Sequence, residues 1–273
     1  MESLLPIAFG VLVGLSLGLT GGGGAIFAVP LLVYGLATPA REAVGVSLAA
    51  VGATALVGFL HRWRLEQVEV RTGLMFAVAG MVGAPIGTWI ASHLPEPALL
   101  LLFAGLMVIV AFRMWRQASR PVPETSGWEN LSDADGPSCR RDAAGNLLLN
   151  TRCSVLLLFI GVVTGILSGM FGVGGGFVIV PALIFFSSMS MHRAVGTSLM
   201  VIALVSVSGV ASHLWAGHDL SPGLAAAFVF GGVAGLFVGQ SISRRLSGPA
   251  LQKVFVVAIL AVAALVIFRN IAS

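Results

Sequence analysis

The sequence is poor in charge, and much of what it cannot be follows from that. Only 10% of its 273 residues are Asp, Glu, Lys or Arg, too few to clothe a soluble domain of this length. The eleven acidic residues all fall in polar breaks or at the ends of apolar stretches. No carboxylate therefore stands inside a segment as a proton relay or cation site, which argues against a cation or metal transporter. The only lysine is Lys253 and no G-x-x-x-x-G-K-[ST] run occurs, so a phosphate-loop ATPase is excluded. No His/Glu zinc motif or nucleophile elbow is present. The chain reads as a non-enzyme with no cofactor and no metal. Two cysteines, Cys139 and Cys153, support neither a disulfide framework nor a zinc site and read as ordinary free thiols. The N-terminus lacks the positive region of a cleavable signal peptide, so residues 4–20 read as mature protein.

What is abundant is apolar length. Hydrophobic residues make up 57% of the chain and mean hydropathy is +1.00. Apolar stretches run over 4–36, 43–60, 73–94 and 98–115, then 154–188, 194–216, 222–243 and 250–268. Most reach the ~20 residues that a bilayer core requires. The expected class is an all-α integral membrane protein whose immediate partner is the lipid bilayer. The basic residues lie between these stretches, where they orient the chain, so the pI near 10.0 does not indicate nucleic acid.

An internal repeat divides the chain. Displacement by 151 places 14–48 on 165–199 with 13 identities in 35 positions. Gly18, Gly21, Gly23 and Gly24 fall on Gly169, Gly172, Gly174 and Gly175, and Pro30 falls on Pro181. The run Ala43-Val44-Gly45-x-Ser47-Leu48 falls on Ala194-Val195-Gly196-x-Ser198-Leu199. Three parts follow: a first transmembrane repeat over 1–116, a polar linker over 117–152 and a second repeat over 153–273. The linker is rich in Pro, Gly, Ser and acidic residues, the composition of an extramembrane connection.

A straight helix over 4–36 would be ~50 Å long, too long for one crossing. Its centre is Gly21-Gly22-Gly23-Gly24, and the second copy has Gly172-Val173-Gly174-Gly175-Gly176. Glycine permits a sharp turn, so each half is expected to hold a glycine-tipped broken-helix hairpin plus three transmembrane helices. Charge placement agrees. With hairpins, all 15 basic residues except Arg41 and Arg269 fall on one side; with eight simple spans they divide ten to five. Basic residues gather in cytoplasmic loops. The two halves are then inverted repeats, with both termini outside and the linker cytoplasmic.

Two glycine tips entering from opposite faces suggest a site. Each tip starts a helix whose free N–H groups and dipole suit an anion, and broken helices near the midplane bind substrate in transporters. The candidate substrate-binding residues are Thr20, Gly21, Gly22, Gly23, Gly24, Gly172, Gly174, Gly175 and Gly176, with Ser47, Thr197 and Ser198 on the following helices. Close packing is the other reading of the glycines, and a bond to the helix's own carbonyl is the other reading of the serines. His61 and His213 end the second segment of their halves, and Arg193 follows His192 at a helix mouth. They suit pH sensing or gating, or else interfacial anchoring and topogenic charge. A homo-oligomer is not indicated.

The doubled elements G-L-T-G-G-G-G-A-I-F-A-V-P (18–30) and G-M-F-G-V-G-G-G-F-V-I-V-P (169–181) resemble the sulfite exporter TauE/SafE family. So do the Ala-Val-Gly-x-Ser-Leu runs and the helix ending F-L-H-R-W (59–63). The resemblance covers everything but the linker. It implies a bacterial-type inner-membrane transporter of a small anion such as sulfite or an organosulfonate, working as an exporter by alternating access as one half rocks against the other. Transport of a different small organic anion, a non-transporting sensory or assembly subunit, and a membrane-embedded enzyme are the competing readings.

Overall fold

A computed structural model describes residues 4–118, 140–141, 147–148, 151–187, 189, 191–243, 260, 263 and 264. Among the described residues the regular structure is helical apart from a short antiparallel ladder, β1 (Arg140–Arg141) against β2 (Leu147–Leu148). The rest of the linker and most of 250–268 lie outside the described residues, as does Cys139; of Cys153 only the backbone is described.

Helix α1 (Leu4–Thr20) ends at the first glycine cluster. The chain then returns through a 3-10 turn (Gly23–Phe27), one α turn, α2 (Ala28–Pro30), and a π stretch (Leu31–Gly35). The return runs back along α1, since Gly24 packs on Ser16 and Gly35 on the ring of Phe9. Helices α3 (Ala40–Trp63), α4 (Val70–His93) and α5 (Glu96–Ala118) complete the first half. In the second half α6 (Thr151–Phe171) reaches the other glycine cluster, where Gly175 packs back on Thr164. Then follow α7 (Gly176–Ser187), α8 (Met191–Trp215) and α9 (Pro222–Ser243). Helices α5 and α6 run two residues further into the linker than the hydropathy breaks at 116 and 153 suggest.

Among the described residues, five helical segments are long and apolar enough to cross a membrane: α3, α4, Ser154–Phe171, His192–Trp215 and Pro222–Ile242. The described apolar run of α5, Glu96–Ile109, is shorter. Along α4 the residues Leu74, Val78, Val82, Ile86 and Trp89 form an exposed apolar stripe, while Gly73, Phe76, Gly80, Gly83 and Gly87 face inward. In water such a stripe would be an anomaly; against lipid it is the expected outer face.

Glycine sets the packing. Gly10, Gly14 and Gly18 of α1 descend in register onto Phe228, Gly232 and Leu236 of α9, so these helices run parallel. Helices α4 and α6 repeat the arrangement, Gly83 and Gly87 lying on Val162 and Ile166 while Gly165 and Gly169 lie on Gly80 and Ala84. A methyl at most of these positions would collide with a carbonyl of the neighbouring helix, the close approach that small residues permit in membranes. At the centre α3 and α8 run antiparallel: Gly45 faces His213, Gly52 faces Ser206 and Gly58 faces Leu199. They are also the most enclosed spans, 67% and 72% buried against 39% for the spans of α6 and α9. Pro85 inside α4 cannot donate to the carbonyl of Met81; Ser208 of α8 does so instead, at 2.8 Å.

Candidate functional site

Each tip begins with the same local event. Gly21 and Gly172 close their helices with N–H bonds of 2.8 Å to Leu17 and Ser168, and both adopt positive φ, +75° and +70°. This is the left-handed cap that glycine takes without strain. A side chain would also meet a wall at either place: Val195 of α8 stands over Gly21, and the backbone of Val44 in α3 over Gly172. Those two valines occupy matching places in the repeat.

The tips are held by the opposite half. Ser47 Oγ on α3 donates to the carbonyl of Gly172 at 2.6 Å, and Ser198 Oγ on α8 donates to the carbonyl of Gly21 at 2.6 Å. Ser198 also approaches the Val195 carbonyl at 2.8 Å, so its one proton is shared. Both serines are fully buried. Between the tips the backbones touch: a Cβ on Gly22 would lie 2.5 Å from Gly176 Cα, and the reverse holds. Gly21, Gly22, Gly172, Gly176, Ser47 and Ser198 thus come together at the centre, buried on all sides. As arranged, the hydroxyls are occupied in fixing tip carbonyls, and a solute between the tips requires them to part.

The other expected residues are placed differently. Gly23 starts the 3-10 turn, Gly24 packs against α1, and Gly174 and Gly175 carry the second tip onward with φ of +65° and +69°. Thr20 Oγ1 donates to the carbonyl of Ser16 in its own helix. Thr197 is buried one residue from Ser198 but accepts the backbone N–H of Glu69 at 2.9 Å. His61 is half-buried with its ring edge-on to Phe237, at 5.6 Å. His192 and Arg193 are exposed at the start of α8. His213 is buried and stacks on His218 with ring centres 4.7 Å apart.

Two hydroxyls near the second tip were not singled out from the sequence. Ser168 and Ser206 are buried, and among the described residues neither Oγ has a hydrogen-bond partner. Ser206 lies beside Gly52 and Gly174. Ser168 stands one helical turn before Gly172, a spacing that could have marked it. Ser206 has Ala55 as its counterpart in the first half, so the repeat gave no signal. The chemistry on offer is that of backbone dipoles and hydroxyls. Among the described residues no group of three or more His, Cys, Asp or Glu is placed to hold a metal.

Comparison with known proteins gives the family. The profile of the family "Sulfite exporter TauE/SafE" matches residues 6–266. A probable membrane transporter protein of Xylella fastidiosa (strain 9a5c) is 35% identical over 277 residues, covering 99% of this chain and 97% of its own. Probable membrane transporter protein YunE of Bacillus subtilis (strain 168) is 26% identical over 282 residues, covering all of both chains. Probable membrane transporter protein MJ0441 of Methanocaldococcus jannaschii is 26% identical over 223 residues, covering 79% of this chain and 74% of its own. No solved structure matches. With a family match over nearly its whole length and broken apolar helices meeting at paired glycine tips, the chain belongs to the sulfite exporter TauE/SafE family and is a multi-pass membrane transporter, not an enzyme.

Proposed function

We propose that this transporter exports a small oxyanion, sulfite or an organosulfonate, across the bacterial inner membrane by alternating access between two inverted repeats. The observation that carries the reading is the crossed pair of bonds, Ser47 to Gly172 and Ser198 to Gly21. The two serines are counterparts in the repeat, as are the two glycines, and they sit on α3 and α8, which run antiparallel. Counterparts pointing in opposite directions are what an inverted repeat requires. The uneven division of basic residues supports the orientation: Arg41 and both termini outside, the linker in the cytoplasm.

The buried, touching tips correspond to an occluded state. Parting Gly22 from Gly176 would expose N–H groups at the start of the 3-10 turn and of α7 to an anion, with the buried hydroxyls of Ser168 and Ser206 beside the second tip. Membrane potential supplies a direction, since moving one negative charge outward gains ~2.3 kcal/mol per 100 mV, inside negative. No intramembrane carboxylate is needed for that.

The test is sulfite flux in proteoliposomes of the purified protein, with the potential set by a potassium gradient. Flux that follows the imposed potential is expected. Silence toward sulfite, sulfonates and carboxylates alike would move the protein to a sensory or assembly role. Orientation has its own check: cysteines placed at 2 and 273 should label from outside the cell, and labelling only from the cytoplasm would overturn the inverted topology.

A further inference from the structure

We infer that a second oxyanion-binding station, formed by Arg41, His213 and His218 with Thr88 behind them, lies between one membrane face and the second glycine tip. These residues line one small cavity together with Val44, Gly169 and Ser92. They come from separate elements: Arg41 from the first turn of α3, Thr88 from α4, His213 from the end of α8 and His218 from the loop that follows.

Three observations make this a place for negative charge. The first is unmet nitrogens. Arg41 Nε, His213 Nε2 and His218 Nδ1 are buried, and among the described residues none has a hydrogen-bond partner. His213 itself is 3% exposed. Buried polar atoms are normally paired, so three unpaired nitrogens around one cavity call for a polar partner, and the guanidinium N–H requires that partner to accept.

The second is charge. Among the described residues no carboxylate pairs with Arg41, whose recorded bonds are to the carbonyls of Ser92 and Leu94 at 3.3 and 3.2 Å. The nearest acids in sequence do not line the cavity: Glu42 takes the hydroxyl of Ser221, and Asp219 is exposed. A metal cation is disfavoured, because the guanidinium carries a permanent positive charge and no carboxylate lines the cavity to offset it. The guanidinium fork suits a planar or pyramidal oxyanion.

The third is position. Val44, on the cavity wall, is the residue whose backbone packs on Gly172, and the Gly169 carbonyl on that wall lies 3.5 Å from Thr88 Oγ1. The cavity therefore ends one residue layer from the tip. As it stands it has room for about one water. An entering anion draws the guanidinium away from its two long carbonyl bonds. Arg41 is thus both ligand and latch, and the station rests on the anion reading proposed above.

Calorimetric titration of the purified full chain with sulfite and with methanesulfonate tests it. Arg41→Gln should weaken binding at least about tenfold, the scale of one lost charge-assisted hydrogen bond; His218→Asn should weaken it less. Arg41→Lys, which keeps the charge, should recover most of the affinity. In oriented proteoliposomes the half-saturating concentration should rise for Arg41→Gln on the Arg41 face only. Wild-type protein that binds neither probe, or Arg41→Gln that binds both as wild type does, would overturn the station. Normal flux with unchanged half-saturation on both faces in Arg41→Gln would overturn it while leaving transport intact. Arg41-dependent binding without any flux would leave the station standing and remove the transport reading.

Discussion

After the first glycine tip the chain returns as a 3-10 turn, one α turn and a π stretch, whereas after the second it returns as an α-helix through Ser187. Each return carries a proline at the matching place, Pro30 and Pro181, so proline alone does not decide the outcome. Gly35, pressed against Phe9, ends the first return, where the second copy has Phe186. The caps, the crossed serine bonds and the valines over the tips are duplicated. The residues around them are not: Thr20 answers to Phe171, Gly22 to Val173, Ala55 to Ser206 and Leu17 to Ser168. The two halves share what holds the tips and differ in what surrounds them. Evenly held tips with uneven walls suit a site whose frame is symmetric and whose coordination is not.

Removing the shared frame should have the largest effect. Gly22→Leu or Gly176→Leu should cut sulfite flux roughly a hundredfold, about 2.7 kcal/mol, with insertion and monodispersity retained. Full activity in either would mean that the tips need not meet. Next come the caps. Gly21→Ala and Gly172→Ala both force a side chain into positive φ, at about 1–2 kcal/mol each. Thermal unfolding in detergent should show similar losses, and a large loss at only one tip would break the symmetry of the frame. Ser47→Ala and Ser198→Ala should each cost about 0.6–2 kcal/mol. Ser47→Ala should cost more, because Ser198 shares its proton with the Val195 carbonyl; the reverse order would mean that the sharing is not what weakens it. Smallest is Thr20→Val, which gives up a hydroxyl bond to the Ser16 carbonyl of its own helix. It should leave stability within about 0.5 kcal/mol. A change in sulfite half-saturation beyond twofold would assign that hydroxyl to the substrate.

Much of this frame was legible in the sequence because it is local. Glycine clusters too dense for a straight helix give the turns, and repetition at 151 pairs Ser47 with Ser198. Even the stripe Gly10, Gly14, Gly18 shows its four-residue spacing. What the sequence does not carry is who meets whom. The serines read equally as ligands or as bonds to their own helix; the finding is that each reaches a carbonyl 125 or 177 residues away in the other half. The Arg41 cavity was hidden for the same reason, since Arg41 and the two histidines belong to opposite halves of the chain and meet only when α3 lies antiparallel to α8. The π stretch escaped too, because no residue pattern separates it from an α-helix of the same composition.

The parallel glycine contacts carry a mechanical consequence. Helix α1 belongs to the first repeat and is pressed onto α9 of the second; α6 of the second is pressed onto α4 of the first. A rigid swing of one repeat past the other would have to tear open both seams, where backbone already touches backbone. If the two repeats rock as proposed, the pieces expected to travel together are mixed pairs, α1 with α9 and α4 with α6, with the hinge line between those pairs instead of along the boundary between the repeats. Two repeats made as separate polypeptides would each present a bare glycine groove, and would be expected to recover a working transporter only by finding one another.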